Sequence, residues 1–113
     1  MNDKNRLRHA FNEMRKAGVK ASLGINSCCR SCIWAEHEEE WKDIPVVWFY
    51  TGQGNKLAYD DEGNLESHNV IYLNHNAGDF RDKILECVGI LKEAGLKAEW
   101  DGNETKCIEV SFV

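Results

Sequence analysis

No apolar run in the chain approaches the ~20 residues that a membrane-spanning helix needs. The longest, Ile44 to Tyr50, has seven. The opening residues, Met1-Asn2-Asp3-Lys4-Asn5-Arg6, contain no apolar signal core, so export is not expected. Clustered base is also missing. Lys and Arg number 14 against 19 Asp and Glu, a formal net charge of −5. The densest basic group, Arg6, Arg8, Arg15 and Lys16, is interleaved with apolar positions along one helical stretch. A nucleic-acid partner is therefore disfavoured, because phosphate contacts require a concentrated positive surface. Gly52-x-Gly54 lacks the Lys-Ser/Thr signature and the following helix of a phosphate loop. Asp60-Asp61-Glu62-Gly63-Asn64 lacks the alternating ligands of an EF-hand loop and reads as a solvated turn. Spacing alone assembles no nucleophile, base and orienting acid, so the chain reads as a binding protein rather than an enzyme.

What is present is ordinary globular material, 42% hydrophobic and 29% charged over 113 residues, enough for a single domain spanning 1–113. Leu7, Ala10, Phe11, Met14 and Ala17 recur at three- and four-residue steps and predict a helix over residues 3–17, capped by Asn2 or Asp3 and stopped at Gly18. Val19, Ala21, Leu23 and Ile25 alternate as one face of a half-buried strand. A second helix is expected from Cys28 to Lys42, with Cys29, Ile33, Trp34, His37 and Trp41 near one face. Val46 to Tyr50 is apolar at every position and predicts an interior strand.

Residues 51–69 read as an insertion with a small hairpin over Lys56 to Ser67, followed by a strand from Val70 to Leu73. Asp79 caps a third helix whose stripe is Phe80, Ile84, Cys87, Val88 and Leu91, ended by Gly95. Leu96 to Trp100 and Lys106 to Val113 form a closing hairpin around Asp101-Gly102-Asn103, with Ile108, Val110 and Phe112 toward the core. The order predicts an α+β fold: a two-layer sandwich of three helices packed on one face of a mixed sheet of five to seven strands. The end of the first helix, Met14 to Ala21, echoes Leu91 to Ala98, which reflects one shared helix-to-strand turn rather than a repeat.

The five cysteines, Cys28, Cys29, Cys32, Cys87 and Cys107, are odd in number, which with no export signal implies thiols in a reducing cytoplasm. Three fall within five residues. Cys29-x2-Cys32-x4-His37 supplies three ligands of a zinc-knuckle pattern, with Cys28, or a distant group such as His75 or Cys107, as a substitute for the missing fourth. A Cys-x-x-Cys at a helix start also suits dithiol chemistry, since backbone N–H groups there stabilise a thiolate. The third reading is plain packing, which Cys87 illustrates on its apolar stripe.

The early Cys-Cys-x-x-Cys, together with Glu93-Ala94-Gly95-Leu96-Lys97-Ala98-Glu99-Trp100-Asp101-Gly102, resembles a family of small bacterial domains of unknown function. The resemblance implies a compact cytosolic domain of bacterial or phage origin and carries no catalytic residues; small size and the family likeness together point to a phage or defence role. The expectation from the whole chain is a cytoplasmic protein-interaction or regulatory module with a protein partner. Trp34, Trp41 and His75 are its candidate binding residues. The alternative is a metal-binding or thiol-redox protein using Cys28, Cys29 and Cys32, with Zn²⁺ as the ion such a set would take.

Overall fold

A computed structural model describes residues 2–25, 30–52 and 54–112, with the side chains of Arg30 and Ser31 left aside. In chain order the elements are α1 (Asp3–Lys16), β1 (Lys20–Ile25), α2 (Arg30–Trp41), β2 (Val46–Tyr50), β3 (Val70–His75), α3 (Ala77–Glu93), β4 (Lys97–Glu99) and β5 (Ile108–Ser111). The α+β class, the three helices and the mixed five-stranded sheet are those expected. The strand order is β1-β2-β3-β5-β4, with β1 and β2 parallel and the remaining pairs antiparallel.

Each element follows from local chemistry. Asn2 caps α1 by accepting the Asn5 N–H at 2.9 Å, and Leu7, Ala10, Phe11 and Met14 are buried along one face. The expected start of α3 at Asp79 meets a more irregular reality. A helical turn begins at Ala77, the backbone leaves helical geometry at Phe80 (φ −131°, ψ 39°), and the regular helix continues beyond. The expected hairpin in 56–67 reduces to one bridge, Tyr59 with Leu65. Its tip packs on the start of α1. Lys4 N–H donates to Gly63 O at 3.0 Å, and Leu65 N–H donates to Asp3 Oδ2 at 2.8 Å. Gly63 sits at φ +82° against the Asn2 side chain, where a Cβ would collide.

The layering departs from the expectation in one respect: the helices do not share a face. Successive residues of a strand point to opposite sides, and β2 shows where each side goes. Val47 and Phe49 join the core built on α1 and α3, while Val46 and Trp48 pack with Ile33 and Trp41 of α2. Two layers therefore hold over β3, β5 and β4, and α2 adds a third over β1 and β2. β1 itself serves both sides. One extra residue between Ser22 and Ile25 shifts its register against β2, so Leu23 packs with the α1–α3 core and Ile25 with the α2 core. On β3, β5 and β4 the second side is left to Tyr72 (50% exposed), Glu109 and Glu99.

Candidate functional site

Trp34 and Trp41 stand seven residues apart on α2, about two helical turns, and so share its inward face. Their rings meet edge to face with centroids 5.1 Å apart. Trp48 rises from β2 to meet them, 6.0 Å from Trp34 and 6.1 Å from Trp41. His37, one turn before Trp41, stacks flat on it at 4.4 Å and 9°. The imidazole Nδ1 lies 3.1 Å from Glu40 Oε2, and the other Glu40 oxygen pairs with Lys20 of β1. This file of contacts fixes the C-terminal half of α2 to the sheet edge.

The three indoles differ in surroundings. Trp41 (2% exposed) and Trp48 (0%) are buried, and neither Nε1 finds an acceptor among the described residues. Trp34 is half-buried and forms the wall of a groove of about 430 Å³. Trp41, Ala35, Glu38 and Lys42 of the α2 region line it from one side, Asn76 and Asp79 at the start of α3 from the other. Lys42 is held by Glu39 at 3.3 Å. The Glu38 and Asp79 carboxylates have no cationic partner among the described residues. The half-buried Trp34 indole, backed by the buried Trp41, and two unneutralised carboxylates thus line one opening.

Asn76 is the joint between this groove and the rest of the fold. Its Oδ1 accepts the Val46 N–H at 2.8 Å, and its Nδ2 donates to Ile44 O at 2.6 Å and Trp41 O at 3.2 Å. One amide therefore satisfies the end of α2 and the start of β2, where the chain turns at Asp43-Ile44-Pro45. Sequence reasoning gave Asp79 only a capping role and gave Asn76 and Glu38 no role in a site. An asparagine after a strand carries no local sign that it serves backbone groups some thirty residues earlier.

His75, the third expected binding residue, lies elsewhere. It is 8% exposed, and both ring nitrogens are engaged with backbone. Ala77 N–H donates to Nδ1 at 3.1 Å, so Nε2 carries the proton and donates to Lys106 O at 2.6 Å. The Trp100 ring packs edge-on at 4.9 Å, and its Nε1 donates to the same Lys106 carbonyl at 2.9 Å. Burial pushes the imidazole below the usual histidine range, against the opposing pull of the Lys106 carbonyl. The geometry makes His75 a clamp between β3, α3 and the loop that leads into β5.

Cys28 and Cys29 lie outside the described residues. Cys32 is half-buried in the first turns of α2. It stands five residues before His37, roughly 140° around the helix, and among the described residues no three His, Cys, Asp or Glu side chains gather where they could hold a metal. Cys87 is fully buried on α3, where burial pushes its thiol up to about 12. Cys107 turns the other way, donating to Asn74 Oδ1 at 3.5 Å. Cys32, Cys87 and Cys107 thus occupy separate environments.

Comparison with known proteins gives one family. The chain belongs to DUF6891, a domain of unknown function whose family model matches residues 1–113. No curated protein and no solved structure matches it. For this DUF6891 domain no helix among the described residues is long and apolar enough to cross a membrane.

Proposed function

We propose that this DUF6891 domain is a cytoplasmic protein-interaction module, and that its groove between α2 and the start of α3 receives a basic side chain of a partner protein. The supporting observation is the pairing of indole surface with unneutralised carboxylate in one opening: Trp34, backed by the buried Trp41, with Glu38 and Asp79. A Lys or Arg head group is attracted to the face of an indole by about 0.5–2 kcal/mol, and flanking carboxylates add charge-assisted hydrogen bonds. The apolar stem of such a side chain suits the Ala35 wall of the groove. The rest of α2 reinforces the attraction, since Glu36, Glu38, Glu39 and Glu40 fall within five residues. Aromatic anchors set beside a polar rim are the usual composition of a contact surface.

The test is a titration of a short arginine-containing peptide, followed by tryptophan emission, with an aspartate-containing peptide of equal length as comparison. The basic peptide should saturate and change the emission, and the acidic one should not. Replacing Glu38→Gln and Asp79→Asn together should weaken binding about tenfold, a loss of about 1.4 kcal/mol. Replacing Asp61→Asn and Glu62→Gln in the distant hairpin turn removes the same charge and should leave binding unchanged. Equal weakening by both pairs would show attraction to net charge alone and defeat the proposal.

A further inference from the structure

The connection from β2 to β3 holds a chain of hydrogen bonds whose protons can be assigned one after another. Asn55 Nδ2 donates to Tyr50 O at 2.7 Å, which settles the orientation of the amide. Its Oδ1 is then the atom 2.7 Å from His68 Nε2. An amide oxygen only accepts, so Nε2 carries the proton, and in the neutral ring Nδ1 is left with a lone pair. Ser67 Oγ lies 2.6 Å from that lone pair, so its hydroxyl donates to it. Ala58 N–H, at 2.9 Å, donates to the same Oγ and fixes its position. Phe49 holds the imidazole edge-on at 5.8 Å.

A serine hydroxyl directed at the free nitrogen of an imidazole, whose other nitrogen is held by a side-chain oxygen, is the arrangement that activates a nucleophile. The site also has room and access. Ser67 is exposed, and next to it in the chain His68 lines a cavity of about 260 Å³ together with Asn55, Asn74, Phe49, Tyr50 and Tyr72, Ser67 itself standing outside that lining. Walls that mix aromatic and aliphatic side chains with two amides suit a small substituent.

We infer that Ser67 is a nucleophile with His68 as its general base and Asn55 as a positioning residue, and that the site cleaves small esters. Ser67 Oγ attacks the ester carbonyl carbon while its proton passes to His68 Nδ1. The bond from carbonyl carbon to alkoxy oxygen then breaks, and the departing alkoxide takes the proton from Nδ1. Water next attacks the acyl-serine, giving its proton to Nδ1. The carboxylic acid departs and Ser67 Oγ regains the proton. Water is the only co-reactant, and no electron transfer is involved.

The inference stands apart from the groove of α2 and is tested separately on the full chain. An alkyl fluorophosphonate reports an activated serine directly: an oxygen–phosphorus bond forms, fluoride leaves, and the proton goes to the imidazole. The phosphonyl group should appear on the Ser67 peptide by mass spectrometry and be absent from Ser67→Ala. His68→Gln should slow labelling about 100-fold, the lower range for general-base assistance. Asn55→Ala should slow it less, and Asn55→Asp, which keeps an acceptor oxygen facing Nε2, should restore it. Near-ultraviolet circular dichroism of each variant separates lost chemistry from lost folding. For variants that keep the native spectrum, labelling of other serines in place of Ser67, or equal rates in wild type and His68→Gln, would overturn the assignment. Failure to label the native protein at all would do the same.

Discussion

The two sides of the sheet are built to different standards. On one side α1 and α3 close over Val47, Phe49, Ile71, Leu73, Ile108 and Val110, and no buried side-chain nitrogen or oxygen among the described residues lacks a partner there. His75, the polar residue buried on that side, has both nitrogens satisfied. On the other side α2 covers β1 and β2 only, over a small core of Ile33, Trp41, Val46 and Trp48 in which two indole N–H groups go without acceptors. Leaving a buried donor unpaired costs about 1–3 kcal/mol. The first side supplies stability. The second forgoes some of it and presents tryptophan, carboxylate and open sheet, which is how a surface reserved for contacts would be composed.

The largest expected effect breaks that comparison directly. Phe11→Ala, in the closed side, should cost about 3–5 kcal/mol, since a fully buried aromatic is removed from the core. Trp48→Phe, in the α2 core, should cost less than about 1 kcal/mol, because the lost packing is offset by removal of a donor with no acceptor. Urea unfolding followed by far-ultraviolet circular dichroism measures both. Equal costs would mean that the two cores are alike and that the orphan donors carry no penalty.

A smaller effect concerns the clamp. The folded protein holds His75 neutral with its pKa depressed, whereas the unfolded chain titrates near 6.5. Between the two values the unfolded state binds the extra proton. Stability from this residue is therefore complete above pH 6.5 and is lost as pH falls through the folded pKa. His75→Phe keeps a ring but leaves the Ala77 N–H unpaired. It should lower stability at pH 7.5 by about 1–3 kcal/mol and flatten the decline below pH 6.5. An unchanged pH profile would show that the ring is not held neutral by the fold.

The same comparison explains what could be read from the sequence. Helix and strand positions were legible because each carries its own period. Val46 to Tyr50 was legible to the residue, and Asn2 was one of two candidate caps with Asp3. The burial of Ile108 and Val110 with Glu109 outward was legible from alternation alone. The side taken by α2 was not read, although the signal existed: a strand apolar on both faces, as β2 is, needs cover on both. The alternation of Ile71 and Leu73 with Tyr72 and Asn74 likewise announced a side without a helix. The roles of His75 and Asn76 had no such signal. Their partners, Lys106, Val46, Ile44 and Trp41, come from distant segments that only the completed sheet brings near. The same holds for Ser67, His68 and Asn55, whose relation depends on the path of the chain between β2 and β3.

The uncovered half of the second side yields the smallest and most local prediction. β4 and β5 are in register such that Glu99 stands directly opposite Glu109, and both are exposed on the face away from α1 and α3. Like charges in directly opposed positions are unfavourable, and an opposite-charge pair contributes about 0.2–1 kcal/mol. Glu99→Lys replaces the repulsion with attraction to Glu109 and should raise stability within that range. The gain should shrink as salt is raised from 0.01 M to 1 M, where the screening length falls from about 30 Å to about 3 Å. A gain that ignores salt would trace to the propensity of the new residue and not to charge. No gain at all would mean that the two carboxylates already avoid one another on an open surface, and the half-sheet beyond α2 would then be less strained than its register suggests.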